Sequence, residues 1–331
     1  MTRAAALLAA LALVAACSSS GDGADGEAAA LPTPSTTTTT TTTPAAAPVT
    51  EPACAGRDAD PGAEGSLTSG GHERTYLLDL PDGYDGTGPV PVIVNFHGYG
   101  SNAEQQAAYS GLGTAGAGRG YAVATPQALG DPPRWVFLPP VAGEVDDVAF
   151  SADLYDHLEA TLCVDADREY AAGMSNGAAM SARLACALGD RLAAAAMVTA
   201  NFYSPDCART TPVAVISFHG TADPIVPYEG GPIAPVAAAA ANGLPVPPEE
   251  TTMQDWANHD GCDGGPAEDE PADGIRRLAW SGCEAGSDVV LYAVEGGGHT
   301  WPGAAAELAP LGETTREISA TDLILDFFDA H

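Results

Sequence analysis

The sequence predicts an α/β fold in which helices flank a central, mostly parallel β-sheet. Short apolar runs rich in β-branched residues recur along the chain, and helix-like segments separate them. Continuous runs of this kind are typical of strands that are buried on both faces of a parallel sheet. The runs at 91–96, 212–218 and 289–294 are each followed by a loop that contains glycine and histidine. We therefore expect functional residues at the carboxyl edge of the sheet.

The predicted strands and helices alternate along the chain. An early strand is closed by the turn at 81–83, where Pro, Asp and Gly follow one another. The predicted strands are 76–80, 91–96, 121–124, 169–172, 193–200, 212–218 and 289–294. The predicted helices are 103–112, 148–162, 178–184, a stretch through Met253 and Trp256, and a closing helix at 322–328.

Asp146 and Asp147 form an acidic pair that admits two interpretations. Paired carboxylates are the catalytic groups of glycoside hydrolases. However, the residues that follow, from Val148 to Leu162, place apolar side chains at helical spacing. We therefore expect these two acids to cap and charge the N-terminus of a helix.

The composition excludes several chemistries. All twelve basic residues of the 331 are Arg, so the chain has no P-loop lysine, no Schiff-base lysine and no Ser-Lys dyad. The formal net charge is −32, which disfavours nucleic-acid binding because phosphates are neutralised by clustered basic residues. The sequence has no H-E-x-x-H motif, and its cysteine spacings are unlike those of zinc sites, so we expect no catalytic metal and no cofactor.

The N-terminus predicts export. Residues 1–16 contain a single basic residue, Arg3, and then an Ala/Leu run of signal-peptide length. The sequence at 13–17 resembles the lipobox of bacterial lipoproteins, in which Cys17 becomes the lipidated first residue. An ordinary secretory peptide that is cleaved nearby is the alternative. In either case we expect an extracellular location, with the membrane as a partner only through the lipid anchor.

A disordered linker is expected between the anchor and the folded domain. Residues 18–53 are rich in Ala, Thr and Pro and include an unbroken run of Thr from 36 to 43. Such a segment buries too little apolar area to offset the loss of chain entropy. The catalytic domain is accordingly expected at 54–331.

Six cysteines remain when Cys17 is set aside. An even number in an exported chain implies disulfides, although fifteen connectivities are possible. Local spacing favours Cys262 with Cys283 and Cys186 with Cys207, which leaves Cys54 to pair with Cys163.

A G-x-S-x-G motif occupies residues 173–177, between a strand-like and a helix-like run. In this context the motif predicts a nucleophile elbow, a sharp strand-to-helix turn that exposes the hydroxyl of its central residue, Ser175. Because glycine is common in this chain, the same pattern is also expected in ordinary tight turns. The order of the residues that follow favours the catalytic interpretation.

Asp223 and His299 are the predicted acid and base. Each lies just beyond a predicted strand, and the chain order Ser, Asp, His is the α/β-hydrolase order. The alternative acids, Asp206 and Asp263, follow no strand. The other six histidines are expected to brace loops or to lie at the surface: His72, His97, His157, His219, His259 and His331.

Four motifs together carry a family resemblance: His-Gly-Tyr-Gly at 97–100, the elbow at 173–177, His-Gly-Thr-Ala-Asp-Pro at 219–224, and Gly-Gly-Gly-His-Thr-Trp-Pro-Gly at 296–303. From residue 73 onward the chain resembles the secreted polyhydroxybutyrate depolymerase and feruloyl esterase group of α/β-hydrolases. The resemblance implies a serine esterase with Ser175, Asp223 and His299 as its triad. It also implies backbone N–H groups of Asn176 and Tyr99 as oxyanion donors, although some members carry Cys where Tyr99 stands.

The substrate side of the site is less defined. Trp301, Trp135 and Tyr228 are candidates for substrate contact, and the Gly/Ala/Pro-rich segment at 228–248 is either a pocket wall or a plain solvent loop. The expected partner is a small-molecule or oligomeric ester. A surface acyltransferase with the same triad is the alternative function, and a non-catalytic surface binding protein is a further one.

Overall fold

The computed structural model describes residues 54, 57–58, 60–204, 207 and 211–331. The predicted signal peptide, Cys17 and the predicted linker at 18–53 lie outside the described residues. The strands are β1 (Glu64–Ser69), β2 (His72–Asp79), β3 (Val90–Phe96), β4 (Ala122–Pro126), β5 (Val164–Met174), β6 (Leu192–Val198), β7 (Ala214–Gly220), β8 (Gly264–Ala272), β9 (Ile275–Ser281) and β10 (Val289–Val294). The helices are α1 (Ala103–Ser110), α2 (Leu112–Gly118), α3 (Asp147–Thr161), α4 (Asn176–Ala187), α5 (Glu249–His259) and α6 (Ala320–Ala330). Short 3₁₀ turns occur at Ala238–Ala241, Glu284–Gly286 and Ala309–Leu311.

The ten described strands form one sheet in the order β1-β2-β4-β3-β5-β6-β7-β10-β9-β8. The strands from β4 to β10 in that order pair in parallel. The two strands at each edge pair antiparallel. The structure therefore confirms the predicted α/β fold with a mostly parallel sheet.

Both faces of the sheet are covered by helices, and alternate residues of one strand feed the two cores. In β3, Val92 and Val94 point into one apolar cluster, whereas Ile93 points into the other. The first cluster includes Leu154 of α3, and the second includes Phe328 of α6. Burial on both faces is why the buried stretches of the central strands are mostly apolar.

The acidic pair begins α3, as predicted. The Asp146 side chain accepts a hydrogen bond of 3.0 Å from the backbone N–H of Ala149, which makes it the N-cap. Asp147 is fully buried, forms a 2.8 Å ion pair with Arg74 and accepts a hydrogen bond from the Val136 N–H. Both acids thus have structural partners.

Three strands at the edges of the sheet, β1, β8 and β9, were not predicted. Strand β8 is exposed along most of its length and consists of Gly, Pro, Ala, Glu and Asp, so no apolar periodicity marks it. Strand β1 lies at the opposite edge and is also largely exposed. Strands of this kind are specified by pairing with a neighbour rather than by their own sequence.

Three disulfides join Cys54 to Cys163, Cys186 to Cys207 and Cys262 to Cys283, which are the two pairs that local spacing favours and the one that remains. The first closes a loop with a sequence separation of 109 residues, and the other two close loops with a separation of 21. None of the helices in the described ranges is both long and apolar enough to cross a lipid bilayer.

Candidate active site

Ser175 sits at a strained turn between β5 and α4. Its backbone has φ 56° and ψ −120°, a conformation that residues other than glycine rarely adopt. The Ser175 N–H donates a 2.8 Å hydrogen bond to the Val198 carbonyl at the end of β6, which holds the turn in place. The half-buried side chain therefore projects from the carboxyl edge of the sheet at the start of a helix.

The two glycines of the elbow are required by close backbone approach. A Cβ atom on Gly177 would lie 2.2 Å from the Phe96 carbonyl oxygen, and one on Gly173 would lie 2.4 Å from the Gly177 carbonyl oxygen. Both contacts are far inside van der Waals distance and involve backbone that cannot turn aside. The sequence motif thus reflects the packing of the elbow against β3.

Asp223 and His299 are joined directly. The His299 Nδ1–H donates a 2.7 Å hydrogen bond to Asp223 Oδ2, and both side chains are almost fully buried. The other carboxylate oxygen accepts hydrogen bonds from the backbone N–H groups of Ile225 (2.7 Å) and Val226 (2.9 Å). Because Nδ1 is committed to Asp223, the Nε2 of His299 is the ring atom that remains for proton transfer.

A second histidine contacts the same carboxylate. His219 Nε2 lies 3.3 Å from Asp223 Oδ2 and 2.9 Å from the Val226 carbonyl, and Nδ1 lies 3.1 Å from Glu249 Oε2. In each of these described contacts the partner is an acceptor, so both ring nitrogens carry hydrogen and the ring is an imidazolium. Burial acts to lower the pKa of His219, but the hydrogen bonds to Asp223 and Glu249 raise it to about 10.

The His219 cation keeps the acid ionised. Burial acts to raise the pKa of Asp223, but hydrogen bonds from His219 and His299 lower it to about 2. Asp223 is therefore a carboxylate at any pH at which an esterase is assayed. It can hold the His299 ring in one orientation and balance the charge that the ring acquires.

Glu249 is a site residue that the sequence analysis missed. It is the first residue of α5, and its Oε1 accepts hydrogen bonds from the Ser217 hydroxyl (2.7 Å) and the Asn201 amide (3.3 Å). In the sequence it is one of two adjacent glutamates after two prolines, which is typical of an ordinary helix start. Only the packing of α5 brings it to His219. Asp263 has no part in this cluster, and Asp206 lies outside the described residues.

The loop after β3 lies against the elbow. A Cβ atom on Gly98 would be 3.5 Å from the Ser175 Cβ. The Gly98 carbonyl accepts hydrogen bonds from the His97 Nδ1–H (2.8 Å) and the Ser101 N–H (3.1 Å). Because a peptide group is planar and trans, this fixes the direction of the Tyr99 N–H opposite to that carbonyl.

His97 braces this loop in its neutral form. Its Nε2 accepts a 3.1 Å hydrogen bond from the Ala128 N–H, so the proton resides on Nδ1. Burial lowers the pKa of His97 to about 4, which keeps the ring uncharged at neutral pH. The expectation that this histidine braces a loop agrees with these contacts.

The Asn176 side chain is hydrogen-bonded to the backbone of Trp135, so the Asn176 group that can act in the site is its backbone N–H. Its Oδ1 accepts a 2.7 Å hydrogen bond from the Trp135 N–H, and its Nδ2 donates a 3.1 Å hydrogen bond to the Trp135 carbonyl. The Asn176 N–H belongs to the first turn of α4, where backbone N–H groups lack intrahelical partners and the helix dipole favours negative charge.

Two cavities meet at Ser175. The large cavity has a volume of about 640 Å³, and its lining includes Tyr99, Ser101, Gln105, Tyr109, Ser175 and His299. The small cavity has a volume of about 100 Å³, and its lining includes Phe137, Ser175, Asn176, Phe202, Val226 and Ile233. The segment at 228–248 contributes residues to both cavities. It is therefore a pocket wall rather than a plain solvent loop.

The three aromatic residues expected to contact substrate line neither cavity. Trp301 is buried in the core and donates a 2.9 Å hydrogen bond from its ring to Thr321 Oγ1. The Trp135 ring donates to the His97 carbonyl, and Tyr228 packs on His219 while its hydroxyl donates to Glu250. Buried Trp and Tyr need such polar partners, so these residues support the site from behind. Tyr109, which the sequence analysis did not single out, lines the large cavity instead.

Within the described ranges, no group of three or more His, Cys, Asp or Glu side chains is arranged to hold a metal ion. Ser175 and His299 line the large cavity, and the buried carboxylate of Asp223 lies behind His299. The fold and this site define the class of protein as an α/β-hydrolase.

Comparison with known proteins gives the family. The chain is 32% identical over 283 residues to "Putative esterase NocK" of Nocardia uniformis subsp. tsuyamanensis, a match that covers 78% of this chain and 79% of that protein. It is 29% identical over 264 residues to feruloyl esterase C of Emericella nidulans, covering 75% of this chain and 86% of the relative. It is also 28% identical over 234 residues to feruloyl esterase B of Piromyces equi, covering 68% of this chain but only 42% of that longer protein.

Among solved structures, the acetyl xylan esterase from Aspergillus awamori aligns with a TM-score of 0.56 at 15% sequence identity, covering 82% of this chain and 100% of that one. At that identity the likeness concerns the fold. No family model matches the chain. With the NocK and feruloyl esterase relatives, it belongs to the polyhydroxybutyrate depolymerase and feruloyl esterase group of α/β-hydrolases, as its motifs predict.

Proposed function

We propose that the protein is an exported serine carboxylic-ester hydrolase that acts through a covalent acyl-enzyme. The observation that carries the proposal is the 2.7 Å hydrogen bond from His299 to the buried Asp223, with His299 and Ser175 lining the same cavity. A histidine that is oriented by a carboxylate and lies at the same cavity as a serine hydroxyl is the arrangement that activates a serine nucleophile. The esterase relatives support the same reaction class.

The reaction follows from these roles. His299 Nε2 takes the proton of Ser175 as the serine oxygen attacks the ester carbonyl, and Asp223 stabilises the resulting imidazolium. The Asn176 and Tyr99 N–H groups donate to the oxyanion, each contributing roughly 3 kcal/mol to transition-state stabilisation. His299 then gives its proton to the departing alcohol oxygen. Water repeats the cycle on the acyl-serine and releases the acid.

Labelling with a fluorophosphonate tests the nucleophile. Trypsin cuts this lysine-free chain only after Arg, so the peptide 169–183 carries both Ser175 and Ser181. We expect one label per chain, and fragment masses that assign it to Ser175. A label on any other residue, or none on active enzyme, contradicts the proposed nucleophile.

Product analysis separates hydrolysis from the acyltransferase alternative, which uses the same three residues. We expect the free acid as the product from p-nitrophenyl butyrate, with or without a sugar as acceptor. An acylated sugar as the main product would favour the transferase. A protein that neither takes the label nor releases nitrophenol would be the non-catalytic binding protein.

The proposal of export and lipid anchoring rests on residues 1–17 and is supported by the three disulfides, which form in oxidising compartments. In a bacterial host we expect the full chain in the membrane fraction, on the outer side. A Cys17→Ser variant is expected in the soluble exported fraction, because it lacks the lipidation site. Identical fractionation of the two chains would contradict the lipid anchor.

A further inference from the structure

The two cavities that meet at Ser175 differ in which catalytic group they contain. His299 and Tyr99 line the large cavity and not the small one. Asn176 lines the small cavity and not the large one. Ser175 lies on the boundary between them, so a bound ester has one arm on each side.

The chemistry of the reaction assigns the arms. When the tetrahedral intermediate collapses, the C–O bond to the alcohol breaks and the alcohol oxygen takes the proton held by His299 Nε2. The alcohol oxygen must therefore lie on the side of His299, in the large cavity. The acyl group then extends the other way, past Asn176 and into the small cavity.

The small cavity limits the size of the acyl group. A protein cavity of about 150 Å³ accommodates benzene, which has six heavy atoms. At about 100 Å³, the small cavity has room for about four heavy atoms. A substituted cinnamoyl group such as feruloyl carries a ring larger than benzene with a vinyl spacer, so it exceeds this volume.

The lining limits the polarity of the acyl group. Phe137, Phe202, Val226 and Ile233 form apolar walls. The polar side chain of Asn201 also lines the cavity, but its oxygen accepts hydrogen bonds from Trp256 Nε1 (3.1 Å) and the Phe202 N–H (2.8 Å). Its amide donates to Glu249 Oε1. Asn201 is thus occupied by internal contacts, and the cavity suits a hydrocarbon chain.

The large cavity suits a bulky alcohol. Its volume of about 640 Å³ lies within the range of about 300 to 1,000 Å³ that is typical of sites for drug-sized ligands. Ser101, Gln105 and Tyr109 line it with polar groups beside apolar ones such as Leu308. The small cavity therefore restricts the size of the acyl group strongly, whereas the large cavity restricts the size of the alcohol only weakly.

We infer that the substrates are esters of short, unsubstituted aliphatic acids of two to four carbons with bulky alcohols, the acyl chain lying in the small cavity and the alcohol in the large one. This inference rests on the proposed serine esterase function and goes beyond it. It sets this protein apart from relatives whose names specify an aromatic acyl group.

The experiment measures kcat/KM of the purified protein on p-nitrophenyl acetate, butyrate, hexanoate and octanoate, and on the two methyl esters methyl butyrate and methyl ferulate. We expect similar values for acetate and butyrate, and a fall of at least tenfold from butyrate to octanoate because the added methylenes cannot be buried. Methyl ferulate should be at least a hundredfold worse than methyl butyrate. Equal or better turnover of octanoate or ferulate overturns the assignment of the small cavity.

Phe202→Ala provides the matching gain of function. Removing this half-buried wall should raise kcat/KM for octanoate relative to butyrate at least tenfold. Leu308→Ala opens the large cavity instead and should leave the octanoate-to-butyrate ratio unchanged. If the Phe202 variant does not fold, Leu244→Ala tests the same wall from an exposed position. A shift in acyl preference in Leu308→Ala, but not in the small-cavity variants, would reverse the assignment.

Fluorophosphonate labelling of Ser175 in the same preparations distinguishes the two ways of failing. A labelled enzyme without the expected acyl preference contradicts only the cavity assignment. An unlabelled protein that hydrolyses none of the esters contradicts the proposed function itself.

Discussion

Ser175→Ala is expected to lower kcat by on the order of a thousandfold or more while the protein stays folded. Serine, histidine and acid act as a unit, so loss of the nucleophile leaves the oriented His299 with nothing to deprotonate. The backbone strain at residue 175 is the same for Ala as for Ser, so unfolding stability should change little. Initial rates on p-nitrophenyl butyrate, with circular dichroism as the check on folding, measure the effect.

Ser151→Ala is the matched control. Ser151 lies within α3, is fully buried, and donates its hydroxyl to the Asp147 carbonyl. The substitution removes the same atom from a place that lines neither cavity, so kcat should stay within about twofold. Comparable losses in both variants would mean that the assay reports stability rather than chemistry, and full activity of Ser175→Ala would overturn the nucleophile.

The central sheet was predictable because burial on both faces requires apolar residues along its strands. Strands β3, β7 and β10 are buried on both faces, so each is mostly apolar, and their parallel arrangement brings the loops after them to one edge. Strand β8, in contrast, is exposed along most of its length. It pairs with β9 along one side and exposes its side chains to water. Its sequence, rich in Glu, Asp and Pro, therefore carries no apolar pattern that would predict a strand.

The same distinction separates the parts of the site. The elbow was predictable because Gly173 and Gly177 are fixed by backbone contacts that the motif itself encodes. The partnership of His219 and Glu249 depends on where α5 docks, 30 residues further along the chain. Nothing local in the sequence specifies that distance. Trp135, Tyr228 and Trp301 were predicted to contact substrate, but they are buried behind the cavities. Aromatic residues are common both in buried cores and in cavity walls, so the sequence alone does not distinguish the two positions.

His219→Gln is expected to destabilise the fold strongly and to change its dependence on pH. The imidazolium is buried between Asp223 and Glu249, with the Tyr228 ring packed against it. Removing one member of a buried ion pair typically costs about 3 to 5 kcal/mol, because the partner charge is left without compensation. Glutamine keeps hydrogen-bond donors but not the charge, so urea unfolding at pH 6 should show a large loss of stability.

The sign of the pH effect follows from the proton count. An unfolded histidine has a pKa of about 6.5, whereas hydrogen bonds in the fold raise the pKa of His219 to about 10. Between these values the folded protein holds a proton that the unfolded chain has released, so the stability due to His219 is complete below about pH 6.5 and is lost as pH rises toward 10. Burial raises the pKa of Tyr228, so that hydroxyl stays neutral across the window. The stability difference between wild type and His219→Gln should therefore narrow steadily from pH 6.5 to 10.

His72→Gln is the control for this prediction, because it is the same substitution at an exposed position on β2. Its unfolding curve should follow that of the wild type at every pH. If the difference in free energy of unfolding between the wild type and His219→Gln stays constant from pH 6.5 to 10, His219 is neutral in the folded protein. In that case Asp223 would hold the His299 ring without a second cation beside it, and hydrogen bonds from His299 and from the Ile225 and Val226 N–H groups would keep the carboxyl ionised.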